Sequence, residues 1–273
     1  MWNRKKVKKM DMFKTMNSLL ILFGESFRTG SQHTRKRGFP ESYEPQIQAA
    51  HSHKKFIKHL KETFNVHMVV SINSYTTQYD NSLVEIYDDV LLESHFYEDL
   101  MGANGLIHSA INRLADIENL NQNFDFIFCM RIDLFLKDPF MELFNPFAKT
   151  ILFPSVCYKP KHLIKGHPRV NDTMIFVPKK YFEHITKVNI SHHYAWKYLI
   201  ESNLTYEDLD MMSDMYFDAD TQKDFNPFYY IVNRGIKRDQ YRNLYGVCKK
   251  GPKAPIFNKY DFLKIINSRD GER

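Results

Sequence analysis

Apolar runs alternate with amphipathic stretches along this chain, and this alternation predicts an α/β fold. Three apolar runs stand out, at residues 18–23 (SLLILF), 66–72 (VHMVVSI) and 126–130 (FIFCM). Runs of this kind are typical of strands buried on both faces, as in parallel sheets covered by helices. Three further strands are predicted at residues 150–156, 173–177 and 228–232.

Helical spacing of apolar residues fills the intervals between these strands. Helices are predicted at residues 44–64, 82–87, 104–120, 179–185, 194–200 and 260–266. No internal repeat or low-complexity linker divides the chain, so we expect a single α/β domain with a mostly parallel central sheet flanked by helices. We place it at residues 17–246, between a basic extension (1–16) and a tail (247–273) that carries the last predicted helix.

Composition excludes a disordered chain, because 43% of the residues are hydrophobic and 15% are aromatic. The net charge of +6 and the pI of about 9.0 favour acidic ligands such as nucleotide diphosphates, but also nucleic acid or an anionic membrane. Part of the charge belongs to an N-terminal cluster, Arg4 to Lys9, and such tails are most often solvated extensions.

Cellular location is inferred from two absences in the sequence. No apolar stretch approaches the ~20 residues of a membrane span, and the run at 19–23 is too short for a signal-peptide core. The three cysteines, Cys129, Cys157 and Cys248, are too widely spaced for a zinc site or a disulfide framework. We therefore expect a cytoplasmic protein that is not secreted and has no membrane span.

Asp133 is the first candidate functional residue, since it comes just after the apolar strand at 126–130. Open α/β sheets bind ligands beyond the carboxyl ends of their strands. A carboxylate there suits Mn²⁺ or Mg²⁺, which bind oxygen ligands. No apolar strand leads into Asp218-Ala219-Asp220, but carboxylates suit these metals, so Asp218 or Asp220 is a candidate second ligand.

Two strand ends predict a nucleotide pocket. The turn after the first strand offers a glycine for close approach and a guanidinium for phosphate. An ordinary strand-to-loop turn is the alternative, and the chain contains neither G-x-G-x-x-G nor a Walker sequence. The predicted nucleotide-binding residues come from this turn, from the end of the second strand and from the position after the third strand. They are Phe23, Gly24, Glu25, Ser26, Arg28, Ser74, Tyr75 and Arg131.

Other polar groups have a structural explanation beside the functional one. Asn104 and His108 lie along one line of a predicted helix, where they either hold a ribose or uracil edge or form an outward polar face. Asp172 precedes the strand at 173–177, where it either reads sugar hydroxyls or forms a plain turn. Thr205 is positioned to cap a helix whose first turn carries Glu207 and Asp208, which would explain both acidic residues without catalysis.

Six stretches together resemble a family of glycosyltransferases found in large DNA viruses of algae and amoebae. They are LILFGESFRTGSQ, SINSYTTQYDN, DFIFCMRIDLFLKDPF, RVNDTMIFVPKKYF, LTYEDLDMM and DFNPFYYIVNR. The resemblance implies a GT-A fold, a nucleotide-sugar donor that is expected to be UDP-linked, and a dependence on Mn²⁺ or Mg²⁺. It also implies a glycan or glycoprotein acceptor, with a role in building glycans on virus structural proteins.

The resemblance also assigns roles to residues. Asp133 corresponds to the last Asp of the metal-binding D-x-D motif, and Arg131 stands where its first Asp would be. Asp208 corresponds to the base of an x-E-D motif, which would deprotonate the acceptor hydroxyl while Glu207 or Asp210 holds the acceptor.

Two other classes stay open at the level of sequence. A nucleic-acid-binding protein would explain the basic charge, although the acidic clusters at the predicted strand ends would repel phosphate, so no nucleic-acid partner is expected. A catalytically inactive glycan-binding relative would explain Arg131 in the D-x-D position.

Overall fold

Helices cover both faces of a seven-stranded sheet in the computed structural model of this protein. The structure describes residues 15–30, 36–99, 101–116, 120–157, 169–171, 173–185, 203–212 and 226–232. The described strands are β1 (Met16–Gly24), β2 (Arg28–Thr29), β3 (Lys36–Arg37), β4 (Val66–Tyr75), β5 (Leu91–Tyr97), β6 (Phe126–Arg131), β7 (Leu134–Leu136), β8 (Ile151–Phe153), β9 (Val156–Cys157), β10 (Arg169–Val170), β11 (Met174–Pro178), β12 (Leu209–Met211) and β13 (Tyr229–Ile231).

The described helices are α1 (Tyr43–Phe64), α2 (Asp80–Tyr87), α3 (Gly102–Asp116), α4 (Leu120–Asn123), α5 (Asp138–Leu143) and α6 (Phe182–Ile185). Single 3₁₀ turns occupy Pro40–Ser42, Asp88–Val90, Lys179–Tyr181 and Tyr206–Asp208. None of these helices is long and apolar enough to cross a membrane.

The large sheet has the strand order β12-β8-β11-β6-β1-β4-β5. Strand β1 pairs in parallel with β4 and β6, β4 with β5, and β12 with β8, whereas β11 is antiparallel to both of its neighbours. Six of its seven described strands therefore run in the same direction. The expected α/β fold with a mostly parallel sheet flanked by helices is confirmed.

Strand β1 is central because its side chains are apolar toward both faces. Leu19 and Ile21 pack on one side with the apolar face of α3, and Leu20 and Leu22 pack on the other side with α1. All four side chains are fully buried. This explains why the sequence here reads as an unbroken apolar run rather than an alternating one.

Helix α1 carries polar residues into the core. It ends at Asn65, whose left-handed backbone lets its N–H bond the carbonyl of Leu60. Gln46, Ser52 and His53 are buried on the side of the helix that faces the sheet. Each bonds the backbone of the segment that follows β6 or the turn that follows β1, so α1 is tied to both strand ends.

Several sequence predictions need correction. Residues 150–156 form two short strands, β8 and β9, rather than one. The strand at 228–232 exists as β13, but it pairs with β7 in a separate two-stranded sheet. Residues 206–208 form a single 3₁₀ turn that leads into β12, not the start of a helix. The predicted helices at 194–200 and 260–266 lie outside the described residues.

Candidate functional site

The parallel strands bring several predicted site residues to one edge of the sheet. Strands β1, β4, β5 and β6 end there at Gly24, Tyr75, Tyr97 and Arg131. Antiparallel β11 begins there, since its first residue Met174 pairs with Met130. We call this the carboxyl edge. The opposite side, where β6 begins and β11 ends, is the amino edge.

The turn after β1 is fixed against the end of β4 by two serines. The Ser26 N–H donates to Ser74 Oγ at 2.9 Å, and the Ser74 hydroxyl donates to Ser26 Oγ at 2.7 Å. Both serines are fully buried, so they hold the turn in place. Gly24 has φ +117°, which other residues rarely adopt. The predicted juxtaposition of the two strand ends is present.

A buried glutamine joins this turn to the end of β6. The Gln46 side-chain oxygen accepts from the Phe27 N–H at 3.2 Å, and its side-chain nitrogen donates to the Ile132 carbonyl at 2.8 Å. The Ile132 N–H in turn donates to the Phe23 carbonyl at 2.8 Å. Sequence reasoning missed Gln46, because a helical pattern does not reveal which polar residue on the buried side has found partners.

Charged side chains surround Tyr75 at the same edge. The Arg37 guanidinium lies 4.8 Å from the centre of the Tyr75 ring, and Arg28 Nε lies 3.9 Å from Glu25 Oε2. Burial raises the pKa of Tyr75 above its ordinary value, a backbone hydrogen bond from Gly102 opposes this, and the Glu25 carboxylate raises the pKa further. Strands β2 and β3 pair Arg28 with Arg37, so both arginines belong to this edge.

Arg131 and Asp133 form a bidentate ion pair at the end of β6. Arg131 Nε donates to Asp133 Oδ1 at 2.8 Å, and Nη2 donates to Oδ2 at 2.6 Å. The Asp133 side chain is 1% exposed and that of Arg131 is 21% exposed. The backbone is fixed as well, because the Arg131 N–H donates to the Thr173 carbonyl and the Val232 N–H donates to the Asp133 carbonyl.

The described residues do not fit a divalent cation. No group of three His, Cys, Asp or Glu side chains with metal-binding geometry exists in the part of the chain that the structure describes. Both carboxylate oxygens of Asp133 accept hydrogen bonds from Arg131, which is a cation itself. Asp220, the other predicted ligand, lies outside the described residues.

A buried polar cluster lies next to Arg131. The Asn171 side chain donates to the Tyr229 hydroxyl at 2.8 Å and accepts from the Thr173 N–H at 3.0 Å. The Asn171 N–H donates to the Ser155 carbonyl at 2.8 Å. Within the described ranges, the buried hydroxyls of Ser155 and Thr173 have no hydrogen-bond partner. The sequence pointed to this region through Asp172, which lies outside the described residues, but not to these hydroxyls.

Asp208 lies far from Asp133. Leu209 of β12 pairs with Ile151 of β8, whose next residue, Leu152, pairs with Phe176 of β11. Phe176 in turn pairs with Phe128 of β6, so Leu209 lies at the level of the start of β6. Asp208 therefore belongs to the amino edge, three strands away from β6. Its carboxylate accepts from the Tyr181 hydroxyl at 2.6 Å and from the N–H and hydroxyl of Thr205 at 2.9 and 2.8 Å. The hydrogen bond from Tyr181 holds the pKa of Asp208 below its ordinary value.

The remaining predicted residues lie on the 3₁₀ turn before β12 and on α3, whose first residue, Gly102, bonds Tyr75 at the carboxyl edge. Glu207 is exposed beside Asp208. His108 is half-buried on α3, and Asn104 lies in the first turn of the same helix, with its side chain outside the described part.

Comparison with known proteins yields structural resemblance alone. No protein-family model and no curated protein sequence matches the chain. A Drosophila β1,4-galactosyltransferase 7 mutant in complex with manganese, UDP-Gal and xylobiose aligns with a TM-score of 0.41 and 9% identity, covering 84% of this chain and 79% of that one.

Two further solved structures give similar values. A glycosyltransferase involved in glycosylation of the major capsid of PBCV-1 has a TM-score of 0.39 and 10% identity, covering 85% of this chain and 99% of that one. The inositol-1-phosphate CTP transferase from T. maritima has a TM-score of 0.43 and 10% identity, covering 87% and 97%. At these values the matches assign neither a family nor an activity.

Proposed function

We propose that this protein is a glycosyltransferase with a single GT-A-like domain that binds a nucleotide-sugar donor at the carboxyl edge. The observation that carries the proposal is the convergence of the Gly24–Arg28 turn, Tyr75 with Arg37, and the Arg131–Asp133 pair at the ends of adjacent parallel strands. Crevices at such strand ends are where open α/β sheets bind nucleotides.

Charge at this edge suits a diphosphate. Arg28, Arg37 and Arg131 all belong to the carboxyl edge, where Arg28 is buried. A guanidinium matches phosphate oxygens in two-point hydrogen bonds. The turn from Phe23 to Arg28 and the β4 end at Tyr75 are assigned to the nucleotide. Asn104 and His108 of α3 are assigned to its ribose or base. We take the nucleotide of the donor to be UDP, because the six sequence stretches resemble a family expected to use UDP-linked donors.

The acceptor is proposed to be a glycan or glycoprotein, and Asp172 with the polar cluster around Asn171 is the proposed place for sugar hydroxyls. Asp208 and Glu207 are not included in this site, because the amino edge cannot reach a donor bound at the carboxyl edge. Mn²⁺ or Mg²⁺ was expected from the sequence, but no step is assigned to a metal, since the described residues do not fit one.

Binding of nucleotide sugars by the full chain tests this proposal. Isothermal titration calorimetry with UDP-, GDP-, CDP- and dTDP-sugars, each in chelator and in Mn²⁺, should reveal one preferred nucleotide. Arg37→Ala should weaken that binding about tenfold or more, since it removes a charge-assisted contact.

Lys149→Ala is the matched control, because it removes a cation that precedes β8 at the amino edge and should leave the affinity unchanged. If no nucleotide sugar binds under either condition, or if the two variants weaken binding equally, the proposal fails. Binding without transfer to any acceptor would favour the inactive glycan-binding relative.

A further inference from the structure

The ion pair between Arg131 and Asp133 occupies the position where a metal-dependent enzyme of the proposed class would need two carboxylates. We infer that Arg131, positioned by Asp133, supplies the positive charge that holds the donor diphosphate, so that this protein binds its donor without a divalent cation. The inference rests on the proposed function.

Geometry makes Asp133 a positioning residue rather than a ligand. Two parallel N–H···O bonds, at 2.8 and 2.6 Å, fix the plane of the guanidinium relative to the carboxylate. The carboxylate is 1% exposed and both of its oxygens accept hydrogen bonds from Arg131, so a metal cation would have to compete with Arg131 for them. The flanking backbone bonds to Thr173, Phe23 and Val232 prevent the turn from moving aside.

Exposure distinguishes the two partners. Arg131 is 21% exposed and so presents part of its side chain at the edge, while the Asp133 side chain is 1% exposed. A guanidinium keeps its charge at any physiological pH, and its planar fork of N–H donors matches phosphate oxygens. The group that a ligand meets is therefore the cation.

During sugar transfer, the charge of Arg131 would offset the negative charge that develops on the diphosphate. The bond between the sugar carbon and the diphosphate oxygen breaks, and its electron pair stays on the diphosphate, which gains negative charge. The acceptor oxygen forms the new bond to the sugar carbon, and its proton passes to water. A fixed guanidinium stabilises the departing diphosphate in the same electrostatic sense as a metal ion does.

A metal at this place would need ligands that the described chain does not offer. Removing Arg131 from the pair would leave one buried carboxylate, and the described residues hold no group of three metal-binding side chains. Even a metal ion that is bound mainly by phosphate and water needs a protein carboxylate, and both oxygens of Asp133 already accept hydrogen bonds from Arg131. The inference therefore predicts that metal is not required.

The test is calorimetric binding of UDP to the full chain, with GDP, CDP and dTDP in parallel, in EDTA and in MnCl₂. The wild type should bind the preferred diphosphate with Kd values that agree within about twofold between the two conditions. Arg131→Met should weaken binding about 10- to 100-fold in both, which corresponds to loss of charge-assisted hydrogen bonds. Arg131→Lys keeps the charge but loses the two-point geometry of the guanidinium, so its Kd should lie between those of the wild type and Arg131→Met.

Asp133→Asn leaves Arg131 charged but loosens its orientation, so binding should weaken by less than in Arg131→Met. In donor turnover Asp133→Asn should lower kcat more than it raises KM, a split that a merely structural role would not produce. Thermal unfolding of each variant excludes loss of the fold as the cause.

Binding that appears with MnCl₂ and vanishes in EDTA would overturn the inference and leave the proposed function standing. Unchanged affinity in Arg131→Met would overturn it as well. Failure of all four diphosphates to bind the folded wild type in both conditions would remove the proposed function itself.

Discussion

The Tyr87 hydroxyl and His53 Nδ1 are joined by a 2.7 Å hydrogen bond in the core between α1 and α2. His53 Nε2 lies 2.6 Å from the Leu134 carbonyl, which can only accept, so Nε2 carries the proton and Nδ1 accepts from Tyr87. Leu134 directly follows Asp133. His53 on α1 therefore fixes the backbone of the residue that follows Asp133.

Stability should depend on pH through His53. Burial lowers its pKa to about 4, against 6.5 in an unfolded chain, although the Leu134 carbonyl and Asp133 oppose the shift. The unfolded chain thus binds the proton of His53 more tightly than the folded protein does. The contribution of neutral His53 to the free energy of unfolding is therefore fully present above pH 6.5 and declines as the pH falls toward 4. Between pH 7.5 and 5.0 the contribution should fall by about 2 kcal/mol in urea unfolding.

His53→Gln provides the control, since glutamine can bond the same two partners and does not titrate. The variant should lose the part of the pH dependence that is due to His53, whatever its stability at pH 7.5. Equal slopes in both proteins would show that His53 is not the cause.

Gly24 and Gly102 form a matched pair for testing backbone strain. A Cβ at Gly24 would lie 4.0 Å from Ile132 Cγ2, and one at Gly102 would have nothing within 4 Å, so neither meets a clash. Their φ angles differ, at +117° and +71°. Gly24→Ala should cost about 2–3 kcal/mol in unfolding free energy and Gly102→Ala about 1 kcal/mol, because φ near +70° is the left-handed region. Equal costs would contradict the strain argument.

Arg113 and Glu93 form a second ion pair, on the side of β4 and β5 that faces α3. Arg113 Nη2 donates to Glu93 Oε1 at 3.1 Å and to Asn73 Oδ1 at 2.5 Å. Burial raises the pKa of Glu93, but the hydrogen bonds from Arg113 and Ser71 outweigh it and hold the pKa below its ordinary value.

Arg113→Leu should lower the free energy of unfolding at pH 7 by about 1–3 kcal/mol, because it leaves a half-buried carboxylate without its cation. Because the pKa of Glu93 is lower in the folded protein than in the unfolded chain, its ionised carboxylate stabilises the fold above the unfolded pKa. This contribution is lost as the pH falls. The difference in unfolding free energy between wild type and Arg113→Leu should therefore be smaller at pH 4 than at pH 7. Arg113→Lys should lose less at pH 7. A deficit that is the same at both pH values would show that the charge of Glu93 is not involved.

Asp208 should matter for stability and not for transfer. Asp208→Asn weakens the bonds from Thr205 and Tyr181 and should cost about 1 kcal/mol, the range of a lost capping interaction. Donor turnover should stay within about twofold of the wild-type rate, with Tyr181→Phe as the matched variant. If turnover instead drops about 100-fold or more while stability is unchanged, Asp208 would be supported as the base.

The sequence predicted those parts of the fold in which local pattern and tertiary environment agree. Strands β1, β4 and β6 are apolar because both of their faces are covered, and the pattern shows this directly. The sequence did not predict edge strand β5, because its polar residues Glu93 and His95 are typical of a loop. In the structure they form side-chain hydrogen bonds with each other and with Arg113. The buried polar residues of α1 could not be predicted for the same reason, because their hydrogen-bond partners lie on segments that are distant in sequence.

The site was predictable to the extent that strand ends converge. Sequence order placed Gly24, Ser74 and Arg131 after three apolar runs, and parallel pairing brought those ends to one edge. The position of Asp208 was not predictable in this way, because it depends on residues 209–211 forming β12, where the sequence indicated a helix. The pairing of Arg131 with Asp133 was also missed, although the two are neighbours on one turn.

The small sheet of β7 and β13 has a consequence for the order of assembly. The Lys137 ammonium donates to the Asn226 carbonyl across a sequence separation of 89 residues, and Val232 bonds the carbonyl of Asp133. Closing so long a loop is entropically costly and slow compared with pairing neighbouring segments. During synthesis, the strands from β1 to β6 therefore emerge and pair first. The Asp133 carbonyl can accept from the Val232 N–H only after residue 232 has left the ribosome.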